Sequence, residues 1–142
     1  MRVEEIMSRR VVTVELDDTL ETVKEIFDNV RFHHLLVVEN GKLFGVLSDR
    51  DLLKALSPNI DTICETSQDR ATLGKRVHQA MSRKPLTLRE DAHISKAVFL
   101  FNTETITCIP IVDSEMKPVG IVSWRDLMKL FGKLLKGKAV EG

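Results

Sequence analysis

The spacing of apolar positions along this chain changes every few residues, and the changes follow an order. "VVTV" at 11–14 reads as a short strand. In "DDTLETVKEIFDNV" the apolar residues Leu20, Val23, Phe27 and Val30 fall at helical spacing, and Asp18 three residues before Glu21 has the pattern of a capping box. "LLVVE" at 35–39 is a continuous apolar run too short for a helix of its own, as expected of a strand covered on both faces. Asn40-Gly41 follows, a pair that accepts positive φ at both residues and so predicts a two-residue hairpin. "KLFGVLS" is then the returning strand and "DRDLLKAL" a second helix, giving the order β-α-β-β-α.

The whole order occurs twice. With Met7 set under Met81, "MSRRVVTVELD" lies over "MSRKPLTLRED" and "HLLVVE" over "CIPIVD". One extra residue in "DSEMKPVG" relative to "ENGKLFG" then completes the register. The second copy supplies "PLTL", a helix from Ile94 to Phe101, "CIPIVD", "PVGIVS" and "RDLMKLF". "VEEIM" and "VHQAM" precede the two copies as matching lead-in turns. Repetition of this kind means one structural unit used twice. The chain is therefore expected to be α+β, built from two β-α-β-β-α repeats at 1–57 and 77–132, with a polar connector at 58–76 and a basic tail at 133–142. Lysines near the carbonyl end suit the close of the last helix.

Composition narrows the chemistry. Lys+Arg and Asp+Glu both number 21, so no surplus of cations points to nucleic acid. No apolar run reaches 18 residues, and the first ten residues carry acids where a signal peptide is apolar, so neither membrane nor secretion is expected and the chain reads as cytoplasmic. Cys64 and Cys108 have no His or Cys at zinc-ligand spacing and read as reduced, buried or incidental thiols. Consecutive strand residues point to opposite faces, so His33 and His34 cannot converge on one ion, and no metal site is expected. No phosphate loop, dinucleotide fingerprint, zincin motif or nucleophile elbow is present, and the acids at helix starts read as caps. An enzyme is not expected.

One motif stands in both copies: "GVLSDRDLL" at 45–53 and "GIVSWRDLM" at 120–128. Ser48 with Asp51, and Ser123 with Asp126, sit where a strand gives way to a helix, as capping boxes do. Gly45 and Gly120, three residues upstream inside strands, leave room for something to approach closely. Free amides, a hydroxyl and an arginine, Arg50 or Arg125, suit a phosphate, while the carboxylate suits the two donors of a ribose diol. Trp124, the only tryptophan, replaces Asp49 of the first copy.

These motifs, each closing a β-α-β-β-α unit opened by a Met-Ser lead-in, resemble the signature of tandem CBS domains over roughly residues 1–131. The resemblance implies a Bateman module, two repeats packed with pseudo-twofold symmetry, that binds adenosine nucleotides or related adenosyl compounds in two clefts between the repeats. It implies a regulatory module with no obligatory cofactor, taking nucleotide with or without magnesium, forming a homodimer and signalling to an unidentified protein. By the same resemblance one cleft takes Ser123, Arg125 and Asp126 with His33, His34, Pro85, Leu86 and Thr87. The other takes Ser48, Arg50 and Asp51 with Val11, Val12, Thr13, Thr107 and Cys108. The two histidines make the Ser123 cleft the expected stronger one. The alternative expectation is an interaction scaffold of the same fold without nucleotide.

Overall fold

The structure is a computed structural model that describes residues 1–141, with side chains to residue 137; Gly142, the last of the expected tail, lies outside the described residues. Its contacts divide the chain into two compact units, residues 12–85 and residues 1–11 together with 86 onward.

In the unit of residues 12–85, strand β1 (Thr13–Glu15) leads to helix α1 (Leu20–Asn29), strands β2 (His34–Glu39) and β3 (Lys42–Ser48), and helix α2 (Asp49–Ala55). A short helix α3 (Ser67–Ala71) lies in the connector, and β4 (Ser82–Arg83) closes the sheet in the order β1-β2-β3-β4. β1 runs parallel to β2, as a strand returning through a helical crossover must, and β2 and β3 are antiparallel. Asn40 and Gly41 both take positive φ, 52° and 78°, as the hairpin pattern predicted. Leu35, Val37 and Leu47 from the sheet bury against Leu20 and Val23 of α1 and Leu52 of α2. Each fully buried aliphatic of this kind contributes about 1.5–3 kcal/mol relative to exposure.

The start of α1 differs from the sequence pattern. Asp18 does not cap it: its carboxylate accepts from the Glu15 N–H at 2.7 Å, which closes the turn after β1. The helix begins one residue later, capped by Thr19, whose hydroxyl accepts from the Thr22 N–H at 3.4 Å.

The other unit repeats the plan with β5 (Leu88–Arg89), α4 (Ile94–Thr103), β6 (Cys108–Val112), β7 (Pro118–Ser123) and α5 (Trp124–Glu141). Its sheet order is β5-β6-β7, with β5 parallel to β6 and β6 antiparallel to β7. Register slips once in each unit, between Val37 and Val38 and between Ile111 and Val112, so the repeats share even this irregularity. Ile109, Ile111, Val122 and Ala97 form the core. Helix α5 runs on through residues 133–141, so the basic segment expected as a tail continues the helix.

The lead-in turns belong to the opposite units from their sequence neighbours. The turn Val3–Glu5 completes the unit of the second repeat: the Val3 N–H donates to Ala92 O at 2.8 Å, and Ser8 exchanges two 2.9 Å bonds with Ile121. The turn Val77–Gln79 completes the unit of the first repeat, where the Val77 N–H donates to Asp18 O at 2.8 Å. Val3 and Val77 are both fully buried in these cores.

Candidate functional site

The two copies of the motif have the same local geometry. In the first, the Ser48 N–H donates to Asp51 Oδ2 at 2.9 Å and the Asp51 N–H donates to Ser48 Oγ at 3.0 Å. In the second, the Ser123 N–H donates to Asp126 Oδ2 at 2.7 Å, the Ser123 hydroxyl donates to the same oxygen at 3.1 Å, and the Asp126 N–H donates to Ser123 Oγ at 3.3 Å. The predicted capping boxes are present, reciprocal and half-buried. Among the described residues the hydrogen bonds of both carboxylates run through Oδ2. Each carboxylate is thereby held in one orientation by the backbone N–H of its box serine. Arg50 and Arg125 are exposed on the first turn of their helices.

Strand pairing decides what stands beside each box. His34 is directly opposite Ser48 across β2 and β3, and Cys108 is directly opposite Ser123 across β6 and β7. The Asp49 N–H donates to His33 O at 3.0 Å, and the Trp124 N–H donates to Thr107 O at 3.3 Å. The His33 Nδ1 lies 3.0 Å from Asp49 Oδ2. Within each unit, then, the structure brings His33 and His34 to the Ser48 set and Thr107 and Cys108 to the Ser123 set. The grouping expected from the resemblance joins the histidines of one repeat to the box of the other, a different relation from this pairing within a unit. Within a unit the first residues of the middle strand face the last residues of its antiparallel hairpin partner.

Burial holds the His34 imidazole below its ordinary value, and this outweighs the attraction of Asp49 and Asp51 for its proton. His33, by contrast, is exposed.

Gly45 and Gly120 are close-approach positions, and the approaching atoms belong to this chain. A Cβ on Gly45 would lie 2.6 Å from Ser82 O and 2.8 Å from Met81 Sδ. One on Gly120 would lie 2.5 Å from Met7 Sδ and 3.0 Å from Ser8 O. The lead-in that completes each unit passes over the glycine of its β3 or β7. The signal was in the sequence, since Met-Ser and the strand glycine both recur, but nothing in the sequence joined them.

Val11, Val12 and Thr13, and Pro85, Leu86 and Thr87, lie at the entries to β1 and β5. Leu86 and Thr87 line an open groove of about 450 Å³ with Leu88, Ser95, Lys96, Phe99 and Leu100. A second groove of about 270 Å³, lined by Glu15, Leu16, Asp17, Glu39, His78 and Arg83, contains none of the expected residues. Cys64 is exposed and Cys108 buried, and neither is in a disulfide. Among the described residues, no group of three or more His, Cys, Asp or Glu side chains could hold a metal ion, and no helix is long and apolar enough to cross a membrane.

With this fold and these paired boxes, comparison with known proteins is specific. The CBS domain family matches residues 3–58 and 76–133, and the chain belongs to that family as a tandem CBS-domain pair. A CBS domain-containing protein of Dictyostelium discoideum is 30% identical over 136 residues, covering 94% of this chain and 93% of its own length. L-aspartate semialdehyde sulfurtransferase of Methanocaldococcus jannaschii is 28% identical over 131 residues, but the chain spans only 23% of that protein. Among solved structures, a CBS domain pair in complex with 5′-methylthioadenosine and S-adenosyl-L-methionine is similar at a TM-score of 0.77 and 26% identity, covering 94% of this chain and 97% of that one. The cytosolic domain of the Mg²⁺ channel MgtE in complex with ATP is similar at a TM-score of 0.70 and 27% identity, covering 87% of this chain and 46% of that one.

Proposed function

We propose that this chain is a cytoplasmic regulatory module, not an enzyme, that binds an adenosine nucleotide or related adenosyl compound and signals to a partner protein by a change of conformation or association. The carrying observation is the pair of reciprocal Ser–Asp boxes, each with its carboxylate fixed through Oδ2 at the end of a sheet hairpin. Two of the similar solved structures hold adenosyl compounds or ATP, which supports the same class of ligand for this chain. Asp51 and Asp126 would accept from ribose hydroxyls, and Ser48, Ser123, Arg50 and Arg125 would meet phosphate. The sites are unequal. Because His33 and His34 stand beside Ser48 within their unit, the Ser48 set carries the richer environment for an anion.

Signalling requires that the ligand favour one state over another, since equal affinity for both shifts nothing. A second copy is the natural partner for an apolar stripe on α5. Trp124, Met128, Phe131 and Leu135 recur at spacings of four, three and four, so they share one helix face, and each is about half exposed. A second reading, an interaction scaffold without nucleotide, draws on Gly45 and Gly120, whose close contacts need no ligand to explain them.

The test is calorimetric titration of nucleotide-stripped protein with AMP, ADP and ATP, each with and without magnesium, and with S-adenosyl-L-methionine and 5′-methylthioadenosine. Saturable binding of one of them, weakened by Asp51→Ala and Asp126→Ala, is the expected result; no binding of any would leave the scaffold.

A further inference from the structure

The repeats agree in almost every local detail, which makes the chemical difference directly opposite each box serine informative. Facing residues on an antiparallel pair project to the same side of the sheet with Cβ atoms about 4.5–5.5 Å apart. In one unit the side chain facing the box serine is an imidazole, His34, and in the other it is a thiol, Cys108. An imidazole changes charge near neutral pH, and a buried thiol has no positive form to offer.

We infer, resting on the function proposed above, that ligand binding beside Ser48 is coupled to uptake of one proton from solvent by His34, and that binding beside Ser123 is not coupled to a proton at its Cys108 position. The charged and titratable groups that face His34 are Asp49 and Asp51 from α2 and His33 from its own strand entry. The carboxylates favour the imidazolium and His33 opposes it, while burial opposes it most. Burial thus biases the imidazole toward its neutral form, and a further negative group beside it favours the protonated one. The Asp49 carboxylate also lies 3.0 Å from His33 Nδ1. An anionic ligand beside Ser48 adds negative charge next to the ring. A neutral adenosyl ligand does not, so the coupling also separates ligands by charge: phosphate-bearing compounds gain on His34 as the medium acidifies, and uncharged ones gain nothing.

Binding and proton uptake are reciprocal by linkage, so affinity for the anionic ligand rises as pH falls, toward about tenfold per pH unit at full coupling. Calorimetry with AMP and with 5′-methylthioadenosine, in buffers of different ionisation enthalpy near neutral pH, counts the protons directly. The expected result is net uptake with AMP in the wild-type protein, little uptake with AMP in His34→Gln, and none with 5′-methylthioadenosine in either. Equal uptake with AMP in wild type and His34→Gln would overturn the inference while leaving the proposed function standing, because any proton taken by AMP itself is common to both. Absence of binding by both compounds would overturn the inference together with that function. A measurement on the unsubstituted protein guards against misfolding of the variant: the midpoint of the His34 ring resonance in a pH titration should move upward on saturation with AMP, and an unmoved midpoint would sink the proposal.

Discussion

Gly45 lies directly under the carbonyl oxygen of Ser82, so closely that a Cβ would stand 2.6 Å from it. The equivalent contact at Gly120 is made first by the sulfur of Met7, at 2.5 Å, with Ser8 O farther away at 3.0 Å. A methionine tip can swing aside more readily than a paired backbone.

Alanine at both glycines is therefore destabilising, but unequally. Gly45→Ala is expected to cost about 1–3 kcal/mol, the usual cost of overpacking, and Gly120→Ala less. Urea unfolding of the two variants measures this. In Gly120→Ala, adding Met7→Ala should recover part of the loss in a double-mutant cycle, whereas Met81→Ala should recover little in Gly45→Ala, where the carbonyl remains in the way.

Removing a box aspartate acts on stability and on binding. Asp51→Ala and Asp126→Ala each lose the bond to a serine N–H and are expected to lower stability by about 0.5–2 kcal/mol, as loss of a cap does. They are also expected to weaken nucleotide by about 1.5–3 kcal/mol, the size of a hydrogen bond to a charged group. Asp51→Ala should have the larger effect on an anionic ligand. Isothermal titration alongside thermal unfolding separates the two losses, and an unchanged affinity in both variants would remove the ribose assignment.

His34 gives stability a direction in pH. Its folded value lies below the ordinary 6.5, so the folded protein holds fewer protons than the unfolded chain in the window between the two values. Stability is complete above about pH 6.5 and is lost as pH falls through that value and through the lower folded one. Comparing urea midpoints of the wild type and His34→Gln from about pH 7.5 to about pH 5.5 should show a smaller acid loss in the variant. Equal losses would contradict the burial of a neutral imidazole.

The stripe on α5 predicts self-association. Sedimentation at micromolar concentration should find a dimer, and Phe131→Glu, which sets a charge among Trp124, Met128 and Leu135, should give a monomer of unchanged circular dichroism. A wild-type monomer would leave the stripe to another partner.

The lead-in turns decide which pieces of the chain can fold. A fragment of residues 12–85 contains a whole core, including Val77 and Met81, and should unfold cooperatively. A fragment ending at residue 57 lacks both and should not. Chemical denaturation of the two fragments distinguishes these outcomes.

Much of this was legible in the sequence, and what was not has a physical reason. Strand and helix types followed from local periodicity, and the Asn40-Gly41 hairpin and both Ser–Asp boxes followed from local hydrogen-bond chemistry. The cap of α1 was misjudged by one residue because Asp18 had two local uses, and the turn after β1 took it. The placement of Met81 over Gly45, and of Met7 over Gly120, depends on contacts between segments far apart in sequence, for which no periodicity exists.

That the first eleven residues complete the unit built by residues 86 onward has a consequence for synthesis on the ribosome. The middle of the chain, residues 12–85, can collapse into its own sheet and helices while later residues are still being added. Residues 1–11, though made before that unit, have nowhere to dock until β7 has emerged, because Ser8 pairs with Ile121. Vectorial growth thus leaves Val3, Ile6 and Met7 exposed to water and to chaperones while the residues up to β7 are added, so they are buried after the unit that follows them in the chain.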